Sequence, residues 1–382
     1  MLDLATFLSA KPLFYDEIDL KRMPRIYESI KKTLPSPKVI HLVGTNGKGT
    51  TGRFLANALL QNGFDVGHYT SPHIINFNER IWLNGLHVND ESLEQAHQKL
   101  SSILTQDQAN ALSYFEYTTL LAMLVFSTCD YVVLEAGLGG EFDATNVFEK
   151  VLSLFTPVDI DHQSFLGDEL SDIACTKFRS MCSNAIIGRQ QHREVVSIYQ
   201  QIAQERGCKA YSIEDFLTED EQQNIKQIAS TCGLATYLQE NLILALSGLQ
   251  FLGFNADVEA LAKAPLFGRL SRIRPNILLD VGHNVLAAEA IAETLKGQKF
   301  TLVYNSYRDK DYATIIKRLK PIIKAVELIT VYDVRAEQEE VLWSVIEAEA
   351  LTVSKFATIE EDKNYLVFGS FSVAEAFLKY IN

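Results

Sequence analysis

One stretch constrains the fold of this chain more than any other: Val39-Ile40-His41-Leu42-Val43-Gly44-Thr45-Asn46-Gly47-Lys48-Gly49-Thr50-Thr51. Its start is apolar and β-favouring. Three glycines then surround a lysine, two threonines follow, and Phe54, Leu55, Ala58 and Leu59 recur at the spacing of one helix face. Strand, glycine-rich turn and helix N-terminus, in that order, build an anion cradle. The glycines let backbone N–H groups converge, and the helix start adds the positive end of its dipole. The lysine supplies a point charge for terminal phosphates, and a hydroxyl can ligate Mg²⁺. The stretch therefore points to a nucleoside triphosphate. It departs from the pattern G-x-x-x-x-G-K-[ST], because only Thr45 and Asn46 separate Gly44 from Gly47 and Gly49 precedes Thr50. A generic glycine turn is the competing reading.

At 382 residues the chain is too long for one typical core, so two domains are expected. A net charge of -13 argues against a general binder of nucleic acid or anionic membrane. The five cysteines form no CxxC pair and no zinc spacing, which suggests reduced thiols and a cytoplasmic protein. Met1-Leu2-Asp3-Leu4 lacks the order of a signal peptide. The apolar run 120–126 is too short to span a membrane and reads as a buried helix followed by a buried strand.

Residues 1 to about 37 read as an amphipathic lead-in. Strands are expected at Val39–Val43, Tyr131–Leu134, Val151–Phe155 and Ala185–Ile187, with helical patterns between them, then a helix over Ala235–Leu252. Pro265 and Gly268 mark a boundary, giving domains 1–265 and 266–382. Beyond it, strands are expected at Ile277–Leu279, Thr301–Tyr304, Leu328–Val331 and Tyr365–Phe368, with helices over Ala287–Leu295 and Tyr312–Leu319. The fold class is α/β: an N-terminal phosphate-loop unit with a mostly parallel sheet, and a second, smaller α/β unit.

Three apolar strands run into acids, where open parallel sheets bind ligands. Glu135 ends Tyr131–Leu134 and precedes Ala136-Gly137-Leu138-Gly139-Gly140; it reads as a Mg²⁺ ligand or as a solvated strand cap. Asp159-Ile160-Asp161-His162 follows Val151–Phe155, and its acids and histidine could ligate a metal. Asp280, after Leu278-Leu279, reads equally as a ribose ligand or as a turn acid capping a helix.

These pieces together resemble the folylpolyglutamate synthase and dihydrofolate synthase family of the Mur ligase superfamily, from about residue 38 to the end. The carrying motifs are Gly44–Thr50, Thr70-Ser71-Pro72-His73, Asn78-Glu79-Arg80-Ile81, Leu134–Gly140 with Asp143-Ala144-Thr145-Asn146, and Asp161-His162 with Leu166-Gly167. Later ones are Gly268-Arg269, Leu279-Asp280 with His283-Asn284, Asp309-Lys310-Asp311 and Phe368-Gly369-Ser370-Phe371. The resemblance implies an ATPase domain followed by a Rossmann-like ligase domain. It implies that Gly44, Thr45, Asn46, Gly47, Lys48, Gly49 and Thr50 hold the ATP phosphates. Ser71, Glu135 and His162 would be Mg²⁺ ligands, and Lys177 a carbamylated lysine serving a second Mg²⁺. Asn241, Arg269, Asp280 and His283 would contact the nucleotide, and the Thr70–Ile81 segment would shape a folate pocket.

The implied reaction adds L-glutamate to a folate or to dihydropteroate. ATP phosphorylates the substrate carboxylate, and the glutamate amine displaces phosphate from the acyl phosphate. Lys48, Lys177 and His162 would be the residues closest to that chemistry, in a monomer with ATP and Mg²⁺ as cofactors. Four positions depart from the family pattern. Glu141 replaces an arginine, Phe178-Arg179-Ser180 replaces Ala-Gly-Ile after Lys177, Val285 replaces a proline, and Tyr237-Leu238 replaces His-Gln. The alternatives are a Mur-type ligase acting on a peptidoglycan precursor, or a nucleotide-binding protein without turnover.

Overall fold

The computed structural model describes residues 2–12 and 19–381. Met1, Asn382 and residues 13–18, part of the expected lead-in, lie outside them. The chain divides into two compact units: Met1–Ala229 with Glu240–Ala264, and Ser230–Gln239 with Pro265–Asn382. Residues 230–239 thus group with the second unit although the sequence on either side does not.

The strands of the first unit are β1 Lys38–Val43, β2 Val66–Tyr69, β3 Ile81–Leu83, β4 Leu86–His87, β5 Tyr131–Glu135, β6 Lys150–Phe155, β7 Asn184–Ile187 and β8 Lys209–Ser212. They form one sheet in the order β4-β3-β2-β5-β1-β6-β7-β8. The run from β2 to β8 is parallel, and β3 and β4 add an antiparallel edge. Ile40, Leu42 and Val43 of β1 and Val132, Val133 and Leu134 of β5 are fully buried, as strands covered on both faces must be. The helix Tyr114–Val125 starts with a reciprocal Ser113–Glu116 cap and leads into β5, which accounts for the apolar run 120–126.

The connectivity fixes where a ligand can sit. The chain leaves β1 for β2 on one side of the sheet, and leaves β5 for β6 on the other. Connections therefore diverge beside β1, and such a switch point opens a crevice at the carboxyl ends of the strands. Gly44–Gly47, Thr70-Ser71, Ala136–Gly140 and Thr156–Asp159 all follow carboxyl ends at that point.

In the second unit, β9 Ser271–Arg274, β10 Ile277–Leu279, β11 Phe300–Tyr304, β12 Ile323–Leu328, β13 Thr352–Lys355 and β14 Tyr365–Phe368 form a sheet in the order β13-β12-β11-β14-β10-β9. Only β9 is antiparallel to its neighbour. Its core joins Leu278, Leu302, Val326, Leu366 and Phe368 to the helices Val285–Thr294, Tyr312–Leu319 and Glu339–Ala348. The strand expected at Leu328–Val331 is corrected to Ile323–Leu328. Leu328 pairs with Tyr304, the last residue of β11, so the sheet ends there. Lys324 and Glu327 interrupt the apolar pattern of the true strand and hide it from a hydropathy reading; Glu327 is buried and meets Lys363 at 3.4 Å. The short strands β2, β3, β4, β8, β9 and β13 were not expected from the pattern. Among the described residues no helix is long and apolar enough to cross a membrane.

Gly67 lies in β2 where the Phe126 ring packs, and a Cβ there would fall 2.4 Å from that ring. Gly67→Ala is expected to destabilise the first unit by about 1–3 kcal/mol through overpacking. Urea denaturation followed by tryptophan fluorescence, with Trp82 one strand away on β3, should show the earlier transition.

Candidate active site

The phosphate loop is built by two constraints. Gly47, at φ 87°, caps the helix Lys48–Gln61 in the left-handed conformation that glycine adopts without strain. A side chain at that position would also collide with Asn241, whose Oδ1 would lie 2.4 Å from its Cβ. The loop is then tied to the turn after β6. Thr45 N donates to Pro157 O at 2.8 Å and Thr45 Oγ1 to Asp159 O at 2.9 Å, while Asp159 N donates back to Thr45 Oγ1 at 3.0 Å.

Two ammonium groups meet on this loop. Lys48 Nζ donates to Gly44 O at 3.2 Å and Thr45 O at 3.1 Å. Lys177 Nζ, from the helix Leu170–Phe178, donates to the same Gly44 O at 2.9 Å. Lys177 is buried, and burial together with the Lys48 charge pulls its amine down to about 7. Gly140 permits this approach: a Cβ there would lie 2.8 Å from Lys177 O and 2.9 Å from Ser180 Oγ.

Glu135 is buried at the end of β5. Its Oε2 accepts from Thr70 Oγ1 and, at 3.2 Å, from Ser71 N. The structure therefore brings Glu135 and Ser71 together. Behind Glu135 the Gly137–Leu138 turn is held by Asp143, whose Oδ2 accepts from both amides at 2.9 Å. His162 sits at φ 55° with its ring 4.0 Å from Asp161, and is far more exposed than Glu135. Among the described residues no three His, Cys, Asp or Glu side chains gather as a metal cluster. The proposed Mg²⁺ set contains only two of those types, Glu135 and His162. The donor chemistry nevertheless fits a hard cation, since carboxylate and hydroxyl oxygens dominate it. Thr50 Oγ1 adds a further one: it is buried on the first turn after the loop with no partner among the described residues.

In the second unit Asp280 is buried with both oxygens engaged. Oδ2 accepts from Tyr237 Oη at 2.5 Å and from Leu270 N at 2.8 Å, and Oδ1 from Gly282 N at 2.7 Å. Burial raises its carboxyl above the ordinary range, against the pull of Arg269 and these hydrogen bonds. A ribose hydroxyl would have to share or displace the Tyr237 bond. Arg269 donates to Gly268 O at 3.2 Å and lies 5.5 Å from the centre of the Phe371 ring. His283 Nδ1 donates to Val281 O at 3.2 Å. Asn284, not Asp280, caps the following helix, accepting from Ala287 N at 3.0 Å.

Two departures from the family pattern find partners. Glu141 faces Arg179 at 3.6 Å, so the acid and the new guanidinium offset each other. Tyr237 supplies the bond to Asp280. Sequence reasoning missed the roles of Thr70, Asp143 and Tyr237. Thr70 adjoins Ser71 and Asp143 opens the motif Asp143–Asn146, whereas nothing local could pair Tyr237 with a residue 43 positions away.

No protein-family model matches the chain. It is 31% identical over 365 residues to the dihydrofolate synthase/folylpolyglutamate synthase of Haemophilus influenzae, covering 85% of this chain and 82% of that one. The Escherichia coli protein of the same name is 31% identical over 333 residues, covering 80% and 76%. Among solved structures, Helicobacter pylori folylpolyglutamate synthetase superposes with a TM-score of 0.81 at 41% identity, covering 99% and 97%. The fold is shared with the Yersinia pestis bifunctional folylpolyglutamate synthase/dihydrofolate synthase complexed with AMPPNP and Mn ion, with a TM-score of 0.81 at 22% identity over 100% and 98% of the chains.

Lys177 carries a stability cost with a defined pH dependence. Below pH 7 both folded and unfolded chains hold its proton, and the folded state bears the whole cost of burying it. Between about 7 and 10.5 the buried amine is neutral while the unfolded one is charged, so the cost shrinks as pH rises. Lys177→Met should therefore raise the melting temperature, by the equivalent of a few kcal/mol at pH 6 and by less at pH 9. An equal gain at both pH values would contradict the burial account.

Proposed function

The chain belongs to the dihydrofolate synthase/folylpolyglutamate synthase family, and from that premise we propose how its own residues carry the reaction. It is an ATP-dependent ligase that adds L-glutamate. The acceptor class is a folate, with dihydropteroate as the other candidate acceptor. The observation that carries the residue assignment is the convergence of Lys48 and Lys177 on the Gly44 carbonyl, beside the turn that follows Glu135.

A carboxylate is a poor acylating agent because oxide is a poor leaving group. Transfer of the γ-phosphoryl group of ATP to the acceptor's free carboxylate forms an acyl phosphate and releases ADP. The amine of L-glutamate attacks that carbonyl, phosphate departs, and the amine loses its proton. The protein's part is positioning and charge neutralisation. Lys48 Nζ exchanges its loop carbonyls for phosphate oxygens, with the amides of Gly44–Thr50 around them. Asn241 packs against Gly47 and fixes the edge of that cradle. Arg269, Asp280 and His283 are the further candidates for nucleotide contact.

Ser71, Glu135, His162 and Thr50 are the residues that would hold Mg²⁺, which when bound neutralises phosphate charge. Lys177 supports a second ligand role. With its amine pulled down to about 7, Lys177 is about half neutral near pH 7, and only the neutral amine adds to CO₂. Addition forms the N–C bond and releases one proton, turning a cation into a carboxylate-like group. A reducing cytoplasm agrees with five free cysteines.

The test is phosphate release with ATP, L-glutamate and either dihydropteroate or tetrahydrofolate, with product analysis. Lys48→Ala should lower turnover by at least about a hundredfold while circular dichroism stays unchanged. Withholding bicarbonate should lower the rate of the wild-type chain. Phosphate release stimulated by neither acceptor would overturn the folate reading, and full activity in Lys48→Ala would overturn the phosphate-cradle assignment.

A further inference from the structure

His41 takes no part in the roles assigned above, yet it is fully buried in β1, three residues before the phosphate loop. Its Nε2 lies 2.8 Å from Thr145 Oγ1, and that hydroxyl lies 2.5 Å from Asp143 Oδ1. Thr145 N also donates to Asp143 Oδ1 at 2.9 Å, and the amides of Gly137 and Leu138 fill Oδ2. Asp143 therefore sits among four donors. A threonine hydroxyl has one proton. If it goes to Asp143, the histidine must be the donor at Nε2, and Nδ1 carries only a lone pair. The opposite direction would need a protonated Asp143 and would bury an Nδ1–H. Nδ1 has no partner among the described residues, and an orphaned buried N–H is rarer than an under-used acceptor. Burial and the nearby Lys150 charge keep the imidazole neutral, as this direction requires.

We infer that His41 is a positioning residue: its Nε2–H drives a one-way relay through Thr145 to Asp143, and the relay holds the Gly137–Leu138 turn behind Glu135. The relay ties the strand that delivers the phosphate loop to the turn after its neighbour β5, so the two sides of the crevice keep one register. What the turn serves rests on the ligase reading; the relay itself does not.

The experiment uses the full chain labelled with ¹⁵N-histidine, with His41 assigned by the signal lost in His41→Gln. The expected spectrum is the neutral Nε2–H tautomer with a bare Nδ1; an Nδ1–H tautomer or an imidazolium at neutral pH overturns the relay. Hydrogen–deuterium exchange over residues 136–140 should accelerate roughly ten- to hundredfold in Thr145→Val, as loss of a charge-assisted bond implies, and by a smaller factor of roughly two- to tenfold in His41→Leu, which loses a neutral one. Thr145→Ser and His41→Gln, which keep a hydroxyl and an amide donor, should exchange at close to the wild-type rate. Wild-type exchange in Thr145→Val, or His41→Gln as fast as His41→Leu, overturns the inference. A wild-type chain that releases no phosphate with glutamate and a folate would sink the ligase reading alone, since tautomer and exchange still decide the relay.

Discussion

Two ammonium groups sharing one backbone carbonyl set the terms for the rest of the first unit. Gly44 O can satisfy Lys48 and Lys177 only because β1 stops at Val43 and the chain turns at once into the loop. Like charges that close repel, and burial adds to the penalty on Lys177. Nothing in a stability argument favours that arrangement, since replacing buried charge by apolar groups is often neutral or stabilising. It makes sense where an anion completes the cluster, and a nucleoside triphosphate with a metal ion brings both the charge and the counter-charge. The surrounding devices serve the same end: Gly140 lets the Lys177 helix approach, Thr45 ties the loop to the β6 turn, and Asp143 holds the β5 turn.

The sheet topology explains why those devices sit where they do. A parallel sheet whose connections diverge beside β1 leaves a crevice at carboxyl ends and nowhere else along its length. Loops following β1, β2, β5 and β6 must therefore carry the chemistry, while the strands themselves are free to be apolar. This division made much of the protein legible in its sequence. The run Val39–Val43 into glycine, and Tyr131–Leu134 into Glu135, each announce a buried strand and a polar end. The same rule marked Asp280 after β10.

What stayed hidden was decided by contacts distant in sequence. β12 is hard to place from its sequence because Lys324 and Glu327 break its apolar pattern; pairing with β11 fixes the strand, Lys324 stays exposed and Lys363 meets Glu327. Tyr237 is a partly buried tyrosine until Asp280, 43 residues on, gives its hydroxyl an acceptor. The same bond changes the meaning of Asp280. From sequence it was a ribose ligand or a turn acid; in the fold it organises the segment Gly268–Gly282 through three donors. Glu141 likewise looked like a lost cation until Arg179 appeared opposite it.

Glu141 and Arg179 show how a site can absorb a charge reversal. The pair is partly exposed, so its own energy is small, about 0–1 kcal/mol. Its effect is better judged by what it prevents. An unpaired Glu141 next to the helix bearing Lys177 would add negative field where we propose that phosphate binds. With Arg179 opposite, that field is largely cancelled at short range and screened beyond a Debye length of roughly 8 Å. The buried groups Lys177, Glu135 and Asp143 are screened far less, so they govern the electrostatics of the crevice. Substitution at the rim therefore leaves the chemistry to the buried set, provided the rim charges are exchanged in pairs. That is the pattern found at Glu141 and Arg179, both of which differ from the family while Lys48, Ser71, Glu135, His162 and Lys177 do not.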